Sequence, residues 1–251
     1  MAHASTTALL ILFAASFWAG VQNALAGGGS FITLPALMFT GMDARAANIT
    51  STIALFPAQL ASGWTGRRQV SGLAALSFRM LVAISLVGGG IGAILLLITS
   101  PSFFARLVPF LVLFATTVFA WGSFAPKRAR GGKLHRQGAI VTQLLISIYG
   151  GYFGGGIGFL MLAALTAAGL AIHTAGATKN VLAGIMNASA VAIFVFSPEV
   201  RWFQAGVSGL GAAGGGVIGA LMLSRVSEKP LRLLVVLIGI ALTIGLFLRS
   251  G

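Results

Sequence analysis

The stretch Asn23-Ala24-Leu25-Ala26-Gly27-Gly28-Gly29-Ser30-Phe31-Ile32-Thr33-Leu34-Pro35 sets three consecutive glycines inside what otherwise reads as an apolar helix. Each glycine costs a helix interior about 1 kcal/mol relative to alanine, so three in a row invite the backbone to leave the helix. The apolar run before them, residues 5–26, is long enough to cross a bilayer as a helix; the run after them, 30–40, is not. Further spans read at 46–63, 73–98, 106–124, 138–153, 175–196, 203–224 and 231–249, with a second short piece at 157–169. The chain is 57% hydrophobic and 8% charged, with a mean hydropathy of +1.00. A soluble chain of 251 residues would carry far more charge. The expected fold class is therefore an all-α integral membrane protein of eight to ten segments.

Ala24-Leu25-Ala26 has the small residues of a signal-peptide cleavage site, but no Lys or Arg precedes the apolar run. The same pattern also returns later in the chain, so residues 5–26 read as a membrane helix. With no cysteine, three histidines and three acids, the chain offers no spacing typical of a metal site, and no cofactor is expected.

Comparing the chain with itself exposes a repeat. Gly27-Gly28-Gly29 returns as Gly154-Gly155-Gly156, and Gly88-Gly89-Gly90-Ile91-Gly92-Ala93 returns as Gly215-Gly216-Val217-Ile218-Gly219-Ala220, both 127 positions on. With one residue inserted, Arg45-Ala46-Ala47-Asn48-Ile49-Thr50-Ser51 faces His173-Thr174-Ala175-Gly176-Ala177-Thr178-Lys179. This divides the chain into a first membrane repeat, 1–125, a basic linker, 126–137, and a second membrane repeat, 138–251. Each repeat reads as a long helix, a glycine break, a half-length helix and three full helices. That pattern gives an odd number of net passes, so the two repeats are expected to have inverted topology.

The net charge of +13 tests this topology. Ten of the sixteen cations fall in three short loops: Arg67 and Arg68; Lys127, Arg128, Arg130, Lys133 and Arg136; Arg225, Lys229 and Arg232. Inverted repeats gather all three loops on one face, as the positive-inside rule favours. The charge is therefore assigned to a cytoplasmic face rather than to nucleic-acid binding. A multi-pass location in a bacterial inner membrane is expected, with both termini outside.

Backbone leaves a helix within a membrane only where protein or a water-filled cavity satisfies its freed polar groups. Helices restarting at Ser30 and Ile157 would present unpaired amides and positive dipole ends near mid-membrane, which is the makings of an anion site. The triads at 88–90 and 214–216 instead read as helix-packing glycines at small-xxx-small spacing. The candidate substrate-binding residues are Asn23, Gly27, Gly28, Gly29, Ser30, Asn48, Thr50, Ser51, Tyr152, Gly154, Gly155, Gly156, Thr178, Lys179 and Asn180. Helix capping accounts for any single Thr or Asn among them as well as a ligand does. An ammonium in a membrane helix, as at Lys179, is expensive unless it is paired or faces a cavity. Arg79, one turn past a basic loop, reads as a side chain reaching to the surface. Arg45 and His173 occupy matched positions, expected near the outer mouth.

With Gly27-Gly28-Gly29 followed by Pro35, a second Gly-Gly-Gly at 154–156, and the helix starts Ala47-Asn48-Ile49-Thr50-Ser51 and Ala175-Gly176-Ala177-Thr178, the chain resembles the sulfite exporter TauE/SafE family, within the 4-toluene sulfonate uptake permease superfamily. The likeness covers both halves. It departs after the second triad, where Leu160-Met161-Leu162 stand in place of the expected proline. The resemblance implies a transporter of sulfite, thiosulfate or organosulfonates, often outward, with a small anion and the lipid bilayer as its partners. Asp43, Glu199 and Glu228 all fall in expected loops, which argues against sodium coupling through a membrane carboxylate. An anion leaving a negatively charged interior gains about 2.3 kcal/mol per charge per 100 mV, so export needs no coupling ion. The alternatives are uptake of a sulfonate or other small anion by the same fold, and a membrane-embedded enzyme or assembly subunit. No nucleophile with an adjacent base lies within the spans, so an enzyme is not expected.

Overall fold

A computed structural model describes residues 5–25, 28–124, 135–222 and 228–250. Gly27 and most of the basic linker lie outside the described residues. Among those described, ten α-helices follow one another: α1 (Thr6–Leu25), α2 (Ser30–Phe39), α3 (Ala44–Gly66), α4 (Phe78–Ile98), α5 (Pro101–Phe124), α6 (Arg136–Tyr152), α7 (Ile157–Ala167), α8 (Ile172–Phe194), α9 (Trp202–Met222) and α10 (Glu228–Ser250). Every apolar segment expected from hydropathy is a helix, and the two short pieces are the two short helices. The chain is an all-α membrane protein. Among the described residues, four helices, α1, α4, α5 and α8, carry stretches long and apolar enough to cross a bilayer. At 1.5 Å per residue, α2 is about 15 Å long, half of a hydrocarbon core.

Local chemistry sets the boundaries. Asp43 caps α3, its Oδ1 accepting the N–H groups of Arg45 and Ala46 at 3.0 Å. Ser77 caps α4 through the Met80 N–H, and Pro101 opens α5, where its missing N–H costs nothing. Gly41 and Gly169, with φ of +91° and +100°, turn the chain out of α2 and α7.

The helices pair across the chain. The two most extensive contacts are α1 with α9 and α4 with α6; α3 also packs on α8 and α5 on α10. Glycines decide how close these pairs come. A Cβ on Gly211 or Gly219 would lie 2.7 Å from the carbonyl oxygen of Phe13 or Val21, and one on Gly215 would overlap the Phe17 carbonyl. In the α4/α6 pair, Gly92 meets the Ile148 carbonyl and Gly151 meets Gly89 in the same way. Within the triads at 88–90 and 214–216, Gly88, Gly89 and Gly215 thus bring their helices against the backbone of a neighbour. Buried hydroxyls and an amide tie the same faces: Ser16 to Ser208 at 2.6 Å, and Gln143 Nε2 donating to Ser85 Oγ at 2.9 Å.

These contacts fix direction. Phe13, Phe17 and Val21 meet Gly211, Gly215 and Gly219 in order, so α1 and α9 run parallel, as do α4 and α6. Gly66 packs on Ala177, Gly63 on Asn180 and Gln59 on Asn187, so α3 and α8 run antiparallel. Arg45 and His173, each near the start of its helix, therefore stand at opposite ends of the molecule rather than at one mouth. One end, hereafter the basic end, holds Arg67, Arg68 and the starts of α4, α6 and α8. The other, the Arg45 end, holds the starts of α1, α3 and α9.

Gly215→Val should lower stability by about 1–3 kcal/mol, because the added atoms overpack the α1/α9 contact. Gly176→Ala, in α8 with nothing within 4 Å, should be neutral or stabilising. Thermal unfolding of the detergent-solubilised protein checks both.

Candidate functional site

Both glycine breaks are real, and they meet. At the first, Gly28 adopts φ +79° and α2 restarts with the Phe31 N–H donating to Gly28 O. At the second, Gly154 and Gly156 both adopt φ +74°, and α7 restarts with the Phe159 N–H donating to Gly156 O. Left-handed backbone of this kind is open to glycine and strained for other residues. The breaks differ in detail: Gly29, which precedes α2, is right-handed, whereas Gly156, which precedes α7, is left-handed. Each sits under an aromatic ring of the other half. A Cβ on Gly28 would come within 3.3 Å of the Phe159 ring, and one on Gly156 within 3.3 Å of the Phe31 ring. Tyr149 holds the second break by donating its hydroxyl to Gly155 O at 3.0 Å.

A cavity of about 50 Å³ lies between the breaks, lined from α1, α2, α3, α7 and α8. It has room for a few waters or one compact ion. Asn23, Gly28, Ser30, Gly154, Gly156, Lys179 and Asn180 all line it. Ile157 and Gly158 also line it; with Ser30 they are the opening residues of α2 and α7, and the first N–H groups of a helix have no intrahelical partner. Among the described residues Lys179 is the one charged side chain in the lining. Gly158 leaves it room: a Cβ there would stand 3.6 Å from Nζ. One ammonium, several uncharged donors and two helix N-termini form a surface suited to negative charge.

The remaining candidates are placed elsewhere. Gly27 lies outside the described residues. Gly29 is buried against the Ala19 carbonyl. Thr50 and Thr178 tether loops: Thr50 Oγ1 accepts the Arg201 N–H at 3.3 Å, and Thr178 Oγ1 accepts the Ser71 N–H at 3.0 Å. Ser51 is hydrogen-bonded to Thr33 at 2.5 Å. Asn48 Nδ2 donates to Tyr152 O at 3.1 Å, and the Tyr152 hydroxyl reaches Thr99 at 3.3 Å. Gly155 packs against the Phe153 ring. These polar groups are satisfied within the protein and do not line the cavity.

Gln59, Ser62, Gly158, Ala183 and Asn187 are cavity residues that sequence reasoning missed. A signal for two of them was present. Extending the one-residue-inserted alignment of Arg45 with His173 by fourteen positions pairs Gln59 with Asn187. In the structure these two meet, Asn187 Nδ2 donating to Gln59 Oε1 at 2.5 Å, where α3 crosses α8.

Comparison with known proteins agrees with this architecture. The family described as "Sulfite exporter TauE/SafE" matches residues 12–246. A probable membrane transporter protein of Haemophilus influenzae is 30% identical over 97% of this chain and 96% of its own length. Probable membrane transporter protein ORF9 of a Sinorhizobium species is 31% identical over 95% and 92%. Probable membrane transporter protein YfcA of Escherichia coli strain K12 is 25% identical over 96% and 90%. No solved structure matches the chain. A glycine-broken, all-helical membrane bundle with matching relatives along nearly its full length is a transporter rather than an enzyme, and the chain belongs to the sulfite exporter TauE/SafE family.

Proposed function

We propose that the chain exports a small sulfur-containing anion, such as sulfite, thiosulfate or an organosulfonate, held between the two glycine breaks. The observation that carries this reading is the lining of the cavity, which joins Lys179 to two helix N-termini and includes no carboxylate among the described residues. Membership of a sulfite exporter family supports sulfur oxyanions as the class.

We also propose that residues 1–125 and 138–251 form two inverted halves that rock about this cavity. Exchange of contacts supports the division: α1 on α9 matches α6 on α4, and Gly215 on Phe17 matches Gly88 on Leu144, each shifted by 127 positions. The start of α6 and the end of α9, which border the other two basic connections, lie at the end that carries Arg67 and Arg68. By the positive-inside rule that end is cytoplasmic, with the termini outside an inner membrane.

Proteoliposomes loaded with a panel of sulfite, thiosulfate, a sulfonate, chloride and acetate test the reading. Sulfur oxyanions should leave the lumen, and do so faster when the side facing the basic end is made negative. Flux indifferent to the imposed potential would remove the potential-driven mechanism. Movement of cations without anions would remove the substrate class.

A further inference from the structure

Arg45 ties the two halves together at one end of the molecule and, among the described residues, has no counterpart at the other. Its Nε donates to Glu199 Oε2 at 2.9 Å, and a second guanidinium nitrogen pairs with Glu199 Oε1. The remaining nitrogen donates to the carbonyls of Leu97, at 3.2 Å, and Thr99. One side chain from the start of α3 thus clamps the end of α4 and the loop between α8 and α9. The ion pair is well shielded, its side chains 13% and 24% exposed, and it is the salt bridge found among the described residues. Around it the closure continues: Thr99 receives the Tyr152 hydroxyl, Asn48 holds the end of α6, and Thr50 holds the Arg201 amide. The stretch Ala46 to Ser51, on the cavity's Arg45 side, is buried throughout.

The matched positions at the basic end lack this clamp. Shifted by 128, Arg45 corresponds to His173 and Glu199 to Ser71. His173 is exposed, and Ser71 is held by hydrogen bonds to Thr178 and to the Gly72 carbonyl, with no ion pair. Nothing from the first half of α3 lines the cavity; its α3 wall is Gln59 and Ser62, in the last turns before the basic end, and both are half-buried. Among the described residues the closure is therefore lopsided, ion-paired at one end and hydrogen-bonded at the other.

We infer that the Arg45–Glu199 pair is a latch between the halves that closes the cavity at the Arg45 end, so that the resting protein faces the basic end and the pair must part once in each transport cycle. The inference rests on the transport reading of the cavity. A shielded, multiply hydrogen-bonded pair holds a closed state where an exposed one would not. It also gives the cycle a defined resting conformation.

The native chain contains no cysteine, so single cysteines report access without a background. Ser62→Cys and Thr52→Cys place thiols on the two sides of the cavity, and a membrane-impermeant methanethiosulfonate is applied to either face of sealed vesicles. With the latch intact, Ser62→Cys should react from the face bearing the basic end and Thr52→Cys slowly from both. Adding Glu199→Gln should speed reaction of Thr52→Cys from the opposite face by about tenfold, the loss of one charged hydrogen-bond pair. The swap Arg45→Glu with Glu199→Arg should restore protection. Monodisperse elution and an unchanged melting profile show that the single-charge variant is folded; where it is not, the restoring swap carries the comparison alone. Thr52→Cys labelling that ignores the state of the latch, in folded protein, overturns the inference even if anions are transported. Latch-dependent labelling without flux of any anion would instead retain the latch and remove the transport reading.

Discussion

Replacing Lys179 by alanine is expected to weaken binding of a sulfur oxyanion about a hundredfold, since a charge-assisted hydrogen bond is worth roughly 1.5–3 kcal/mol. The ammonium is the one charge in the cavity lining among the described residues, and it has no ion-pair partner among them. Such a group is costly to keep inside a membrane bundle when no ligand is present. Lys179→Met, which fills similar volume, should therefore leave the empty protein as stable as the native one or more so, while abolishing the gain in thermal stability that the anion provides to the native protein. That pairing separates a binding role from a structural one. Lys179→Arg should retain most of the affinity. Arg79→Ala, at the exposed start of α4, should leave it unchanged. Ligand-induced shifts in melting temperature, measured for sulfite and a sulfonate, read all four variants.

Gly156→Ala is expected to abolish transport through geometry alone. The position has φ +74°, which costs a residue with a Cβ about 1–2 kcal/mol. The new Cβ would also stand 2.7 Å from Ala115 Cβ in the well-packed contact between α5 and α7. Either α7 moves or its first turn re-forms, and in both cases Ile157 and Gly158 are displaced from the cavity wall. Gly169→Ala supplies the control, because φ there is +100° but nothing stands within 4 Å. It should lose stability and keep transport. Equal loss of flux in both variants would mean that the backbone conformation matters without the packing.

Much of this was legible in the chain because it depends on local sequence. Membrane helices reveal themselves by length and hydropathy, and a glycine triad followed by an apolar run too short to cross reveals a break, whereas the triads at 88–90 and 214–216 lie inside full-length apolar runs. The packing role of Gly88, Gly92, Gly215 and Gly219 was readable from their spacing. The candidate site was half legible. Asn23, Ser30, Lys179 and Asn180 stand near a break or at the matching helix start, and the structure brings them together. Asn48, Thr50, Ser51 and Thr178 looked the same in sequence, yet their side chains are taken by Tyr152, Arg201, Thr33 and Ser71, partners up to 151 positions away. A buried Thr or Asn takes whichever donor or acceptor lies closest in space. Which group that is follows from helix crossing.

The sequence by itself determined that this is a membrane bundle with two glycine interruptions and its cations gathered in three loops, because bilayer thickness, glycine's conformational freedom and charge solvation act on short stretches of chain. Inverted repeats already imply that α3 and α8 run antiparallel, which sends Arg45 and His173 to opposite ends; only the tertiary structure decided the register at which they cross. That register puts Gln59 against Asn187 and lets Arg45 find Glu199. Those outcomes depend on which residues face one another across helices far apart in the chain, and the close approach of glycine-bearing faces sets that register.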